Sequence, residues 1–264
     1  MNRVGRLKHF SLGVFAAALS TILVGSFTAQ TSMARPASPA QVFAVSTETV
    51  QFDSSGFNVD ALLATPSGAG KHPAVLVIHD SLGLENSMRE ITQKFAAAGF
   101  VALAPDFTSR RGGTRTPEQL AQTVAQLTPN VTLEDARSAM DYLQKDSAVD
   151  ATRISTVGFG WGGWRSFMLA ASMPALYRAV IYCGTTPSQN IDSMHAKILA
   201  HYAQYDFRTT GNAMVTEKAM AEAGKQFTYF VYPRVYRTFY AAGAQYNSDA
   251  AQLAWDRTLD FLRK

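Results

Sequence analysis

The chain has 264 residues, 47% of them hydrophobic and only 17% charged, with 16 Phe, 10 Tyr and a mean hydropathy of −0.04. That composition belongs to a folded chain with a large core, and it excludes a disordered protein, a coiled coil and a multi-span membrane protein. The net charge is +4, but residues 1–34 hold Arg3, Arg6 and Lys8 and no acid; removing these three cations leaves +1, so no nucleic-acid partner is predicted.

Residues 1–34 read as a secretory signal peptide. A basic start precedes an apolar run from Phe10 to Val24, and Ser32-Met33-Ala34 offers small residues at both positions of a cleavage site. The run is shorter than the roughly 20 apolar residues of a membrane span. The mature protein is therefore expected to begin near Arg35, to keep no membrane anchor after cleavage, and to be periplasmic or secreted. The single cysteine, Cys183, has no intrachain partner and reads as a small buried hydrophobe.

Residues 35–46, rich in Pro, Ala and Ser, read as a linker, and residues 47–264 as one domain. Strands are predicted at Glu48–Phe52 and Phe57–Thr65, flanking the hairpin signal Asp53-Ser54-Ser55-Gly56. Short apolar runs at Ala74–His79 and Val101–Pro105 read as strands covered on both faces, and further strands are predicted at Ile154–Gly158, Ala179–Tyr182, Ile198–Tyr202 and Phe227–Tyr232. Helices alternate with them: Met88–Ala98, one opened by Thr116-Pro117-Glu118-Gln119 with its capping box, Thr132–Gln144, Gly162–Ala171, Met214–Ala223 and Asp249–Leu262. The alternation predicts an α/β fold: a mostly parallel sheet with helices on both faces and an N-terminal antiparallel hairpin. Function in such sheets sits at the C-terminal ends of the strands.

One strand-to-helix turn is the most informative segment, Val157-Gly158-Phe159-Gly160-Trp161-Gly162-Gly163. Gly158, Gly160 and Gly163 meet the dinucleotide fingerprint, but at least four strands precede it and no acid lies between Asp150 and Asp192 to hold a ribose. The same residues meet the nucleophile elbow, in which flanking glycines let a tight turn expose one side chain above the sheet. The wider context favours the elbow. Val77-Ile78-His79-Asp80-Ser81-Leu82-Gly83-Leu84, Ala98-Gly99-Phe100, Ala104-Pro105-Asp106-Phe107, the elbow, Tyr202 to Asp206, and Ala254-Trp255-Asp256-Arg257-Thr258 resemble the dienelactone hydrolase family. The resemblance implies an α/β-hydrolase fold and hydrolysis of esters or lactones by a Cys-His-Asp triad.

Carried over residue by residue, that triad is degenerate. The nucleophile position falls on Gly160, the histidine on Arg237 and the acid on Asp206, and Asp80 replaces a longer glutamate. No histidine follows His201, and a guanidinium cannot accept a proton near neutral pH. Backbone N–H groups at Trp161 and in the Ser81-Leu82 loop remain as an oxyanion hole. Ser166 reads as helix packing, His201 as part of a buried strand, and His195 matches no metal spacing.

Asp206 is thus the surviving catalytic candidate, and Asp80, Ser81, Leu82, Gly160, Trp161 and Arg237 the expected pocket. Arg165, Arg208, Arg234 and Arg237 should border the strand ends, with Arg237 bridging Asp206 or holding an anion. Trp161, Trp164, Phe207 and Tyr236 should wall the pocket. The expected function is a catalytically impaired binding or structural relative of ester and lactone hydrolases, with a small, anionic ligand as partner and no cofactor or metal. The alternative is a hydrolase working through His79, Asp80 and Asp206; a third reading is dinucleotide binding at Gly158–Gly163.

Overall fold

A computed structural model describes residues 42–264, apart from 113–115 and 188–189. The expected signal peptide and residues 35–41 of the expected linker lie outside the described residues. Strand β1 (Val45–Ser54) already contains Val45 and Ser46, which pair with Pro66 and Thr65, so the linker expected to run to residue 46 ends earlier. Cross-strand hydrogen bonds to β2 (Phe57–Pro66) recruit them, which composition does not reveal. The hairpin turns on Ser55 and Gly56, at φ 52° and 80°; two successive left-handed residues give a two-residue turn whose twist matches the strands.

The remaining elements alternate as expected: β3 (His72–Ile78), α1 (Asn86–Ala97), β4 (Val101–Pro105), α2 (Pro117–Gln126), α3 (Pro129–Lys145), β5 (Val149–Phe159), α4 (Trp161–Ser172), β6 (Arg178–Tyr182), β7 (Lys197–Ala203), α5 (Phe207–Glu222), β8 (Phe227–Tyr232) and α6 (Ser248–Arg263). The sheet order is β1-β2-β4-β3-β5-β6-β7-β8, antiparallel across β1, β2 and β4 and parallel from β4 to β8.

The strand periodicity of two divides the core. Ala74, Leu76 and Ile78 face one cluster, where α3 supplies Leu133, Met140 and Leu143 and α4 supplies Phe167. Val75 and Val77 face the other, where α1 supplies Met88 and Phe95 and α6 supplies Leu259 and Leu262. Each of the larger side chains among these, when fully buried, contributes roughly 1.5–3 kcal/mol. Thr116 accepts from the Gln119 N–H and Gln119 returns a bond to the Thr116 N–H, closing the expected capping box. Helix α5 begins at Phe207, seven residues before the expected Met214. Its opening turns hold Thr209, Thr210 and Gly211, poor helix formers that hide its start, while Thr209 Oγ1 bonds the Asp206 carboxylate at 2.6 Å. Strand order reverses direction between β3 and β5, so a crevice is expected just beyond their C-terminal ends.

Candidate ligand cavity at the strand ends

Gly160 links β5 to α4 with φ 47° and ψ −103°, a backbone conformation that strains any residue with a Cβ. Its N–H donates to the Tyr182 carbonyl at 2.7 Å and its carbonyl accepts from Gly163 N–H at 3.1 Å, which fixes the turn. The neighbouring glycines have a packing role. A Cβ at Gly158 would collide with the Gly162 carbonyl, and one at Gly162 with the Ile78 carbonyl. Close backbone approach at an elbow thus accounts for the glycine spacing that also fits a dinucleotide fingerprint.

The volume above Gly160 is taken by Asp80, two residues beyond β3. A Cβ built on Gly160 would lie well under 3.0 Å from both carboxylate oxygens, closer than real Cβ atoms approach anything. Asp80 Oδ1 accepts from the N–H of Ser81 at 2.6 Å and from the N–H of Trp161 at 3.0 Å. Those are the two backbone donors expected to form the oxyanion hole, one from the residue after the elbow and one from the β3–α1 loop. Asp80 Oδ2 accepts from the Tyr240 hydroxyl at 2.9 Å. An internal carboxylate therefore fills the hole where a tetrahedral oxyanion would sit. Tyr240 was not singled out in the sequence; its signal was a phenol in an aromatic stretch whose hydroxyl, once buried, needs a partner. Burial and the Asp80 charge push its pKa well up, so it stays a donor.

The other triad positions do not assemble. Asp206 bonds Thr209, and Arg237 makes no salt bridge to it or to any acid among the described residues. The expected Arg237–Asp206 bridge is absent because the first turn of α5 satisfies the Asp206 carboxylate locally. The alternative base fares no better. His79 is fully buried, its Nδ1 bonded to the Asp80 carbonyl at 2.7 Å and its Nε2 accepting from the Phe107 N–H at 3.3 Å, with Trp161 stacked on the ring. Burial lowers its pKa, and neither nitrogen reaches the cavity. Cys183, at φ 48° after β6, is fully buried, and burial raises its thiol pKa. Ser166 packs between Thr156 and the Val180 carbonyl, and His201 lies buried in β7. Among the described residues no group of three or more His, Cys, Asp or Glu side chains is placed to hold a metal.

A cavity of about 720 Å³ opens over this plugged turn. Ser81, Gly160, Trp161 and Arg237 line it as expected, whereas Asp80 lies beneath it and Leu82 points outward at 40% exposure. Arg165, Arg208 and Trp164 also line it, together with Pro129, Thr185 and Thr209. Arg234 does not; its backbone turns at φ 56° and its N–H bonds the Gln204 side chain. Phe207, at 78% exposure, and Tyr236, whose ring lies tilted against that of Tyr205, also stand outside the lining, because the early start of α5 and the loop after β8 direct them to solvent. Arg165 is the unusual member. Only 8% exposed, it lies 3.5 Å from the Trp161 ring and 5.0 Å from Trp164 and donates to the Trp161 carbonyl at 3.2 Å, without a carboxylate partner. Burial alone pushes its pKa down to about 9.

Comparison with known proteins agrees with this architecture. The model of the dienelactone hydrolase family matches residues 59–264. A protein of Methylorubrum extorquens named "Putative carboxymethylenebutenolidase" is 26% identical over 226 residues, covering 78% of this chain and 77% of that protein. A Bradyrhizobium protein named "Probable 2-oxo-3-(5-oxofuran-2-ylidene)propanoate lactonase" is 29% identical over 241 residues, covering 83% and 96%. Among solved structures, a "Putative Dienelactone Hydrolase" from Klebsiella pneumoniae superposes with a TM-score of 0.77 at 24% identity, over 84% of this chain and 99% of that one.

Proposed function

The chain belongs to the dienelactone hydrolase family, and from that premise we propose that it binds a small organic ligand at its strand ends without hydrolysing esters from the elbow. One observation carries the reading: the Asp80 carboxylate occupies both the space of a nucleophile's side chain and the two N–H groups that would hold an oxyanion. Hydrolysis by the family's route needs an attacking atom, a proton acceptor and an empty oxyanion hole. Gly160 lacks the first and Arg237 cannot serve as the second, while Asp80 fills the third. In a serine protease, loss of the nucleophile or the histidine alone costs about a millionfold in turnover. The residual catalysis that survives such losses comes from binding and the oxyanion hole, and here that hole is taken.

The competing reading, hydrolysis through His79, Asp80 and Asp206, draws on the names of the relatives. It requires a base free in the cavity, and both His79 nitrogens are engaged below it. The test is a stopped-flow assay with a small activated aryl ester, alongside a covalent ester-directed probe read by intact-protein mass spectrometry. No burst and no adduct are expected. A stoichiometric burst with the label mapped to any side chain would overturn the proposal.

A further inference from the structure

We propose that the cavity over Gly160 is a site for an organic phosphate monoester, held by Arg165, Arg208 and Arg237. The inference rests on the binding reading above and names its ligand class. Three arginines line one cavity from three separate segments: α4, the first turn of α5, and the loop after β8. None forms a salt bridge among the described residues. The hydroxyls of Ser81 and Thr185 add donors to the lining, the Thr209 hydroxyl being committed to Asp206, and no carboxylate belongs to the lining. Asp80 and Asp206 lie beyond that lining, each with its own hydrogen-bond donors.

A donor-rich cavity selects an acceptor-rich ligand, and the number of cations distinguishes the kind. A carboxylate has one charge and two oxygens, which a single bidentate guanidinium satisfies. A phosphate monoester carries about −1.5 to −2 charges near neutral pH and three terminal oxygens, enough for guanidiniums arriving from three directions. The cavity is much larger than a phosphate group, and Trp164 and Pro129 offer apolar surface to the organic part. Arg165 supplies the energetic motive. A cation at 8% exposure without a counter-ion pays desolvation that a ligand anion would offset. Its downward pKa shift, caused by burial, reports the same deficit. Because Asp80 blocks the N–H groups beneath, the phosphate sits on the arginine side of the cavity.

Isothermal titration of the full chain with phenyl phosphate, inorganic phosphate and benzoate, at low and high salt, tests this. Phenyl phosphate should bind one to one, at least about tenfold tighter than benzoate, because a second charge engages further guanidiniums. Arg208→Gln and Arg237→Gln, both at partly or fully exposed positions, should each weaken it about ten- to hundredfold, the worth of one charged hydrogen bond. Arg165→Gln should weaken it at least as much; if that variant fails to fold, the other two still decide. Arg137→Gln, an exposed cation on α3 outside the lining, should leave affinity unchanged. Absence of binding, benzoate binding as tightly as phenyl phosphate, or Arg137→Gln weakening binding as much as Arg208→Gln would each overturn the site. Phenyl phosphate binding no tighter than inorganic phosphate would overturn the monoester assignment. Phosphate binding together with an ester burst would sink the non-hydrolytic reading alone, whereas neither binding nor burst would sink this inference alone.

Discussion

Asp80 and Gly160 compete for one volume, so replacing both should cost far less than the two replacements separately. Gly160→Ala places a Cβ among the Asp80 carboxylate atoms and must drive that side chain out. The new residue also adopts φ 47°, which strains an L-residue by about 1–3 kcal/mol. Displacing the carboxylate breaks its bonds to the Trp161 N–H and the Tyr240 hydroxyl, at about 1.5–3 kcal/mol each before water replaces them. Asp80→Ala forfeits those two bonds, and the one from the Ser81 N–H, without the strain. In the double variant the two shared bonds are lost once, so a favourable coupling of about 2–4 kcal/mol is expected between contacting sites. Urea denaturation of the four proteins at pH 7 measures it, with m compared alongside the midpoint to verify that the same surface unfolds. Additivity within about 0.5 kcal/mol would refute the reasoning, because it would mean that the carboxylate does not occupy the elbow's side-chain position.

Rebuilding ester hydrolysis should require three changes. Gly160→Cys with Arg237→His restores an attacking thiol and an imidazole, but the Cβ only pushes the Asp80 carboxylate aside and leaves its negative charge next to the elbow, where it opposes a developing oxyanion; adding Asp80→Ala removes that charge, and turnover of a small aryl ester should rise above every single and double variant, since triad members act as a unit. Equal turnover by the double and triple variants would show that Asp80 is no obstacle. A separate outcome concerns pH. Burial holds the His201 pKa at about 3, below its ordinary 6.5, so the unfolded chain binds a proton there first as pH falls. Its contribution to stability is fully present above pH 6.5 and is lost as pH falls towards 3. Between pH 7 and 5 that amounts to about 2 kcal/mol. His79, also lowered, acts with the same sign. Chemical denaturation at both pH values should therefore show a smaller loss for His201→Gln than for the unmodified protein; identical losses would contradict the assignment.

The order of elements was legible from the residues alone, because strands covered on both faces leave short continuous apolar runs and packed helices leave a stripe of period 3.6. The residues at the expected triad positions were legible too: Gly160 has no side chain, and the Arg237 guanidinium has no atom to accept a proton near neutral pH. What fills the gap was not. Asp80 meets Trp161 and Tyr240 from 81 and 160 residues away, and no spacing rule joins a loop after β3 to a loop after β8. Arg237 and Asp206 fall on the positions of a histidine–acid pair and carry opposite charges, but Thr209, three residues from Asp206 on a helix that starts earlier than its pattern suggests, satisfies that acid. The sequence places Arg165 beside the strand ends, but its burial beneath Thr132 of α3 and two tryptophans depends on the tertiary structure. Identity determines what a side chain can do; its burial and partners depend on segments that meet only when the sheet closes, and those set which donors, charges and volumes the cavity has left to offer.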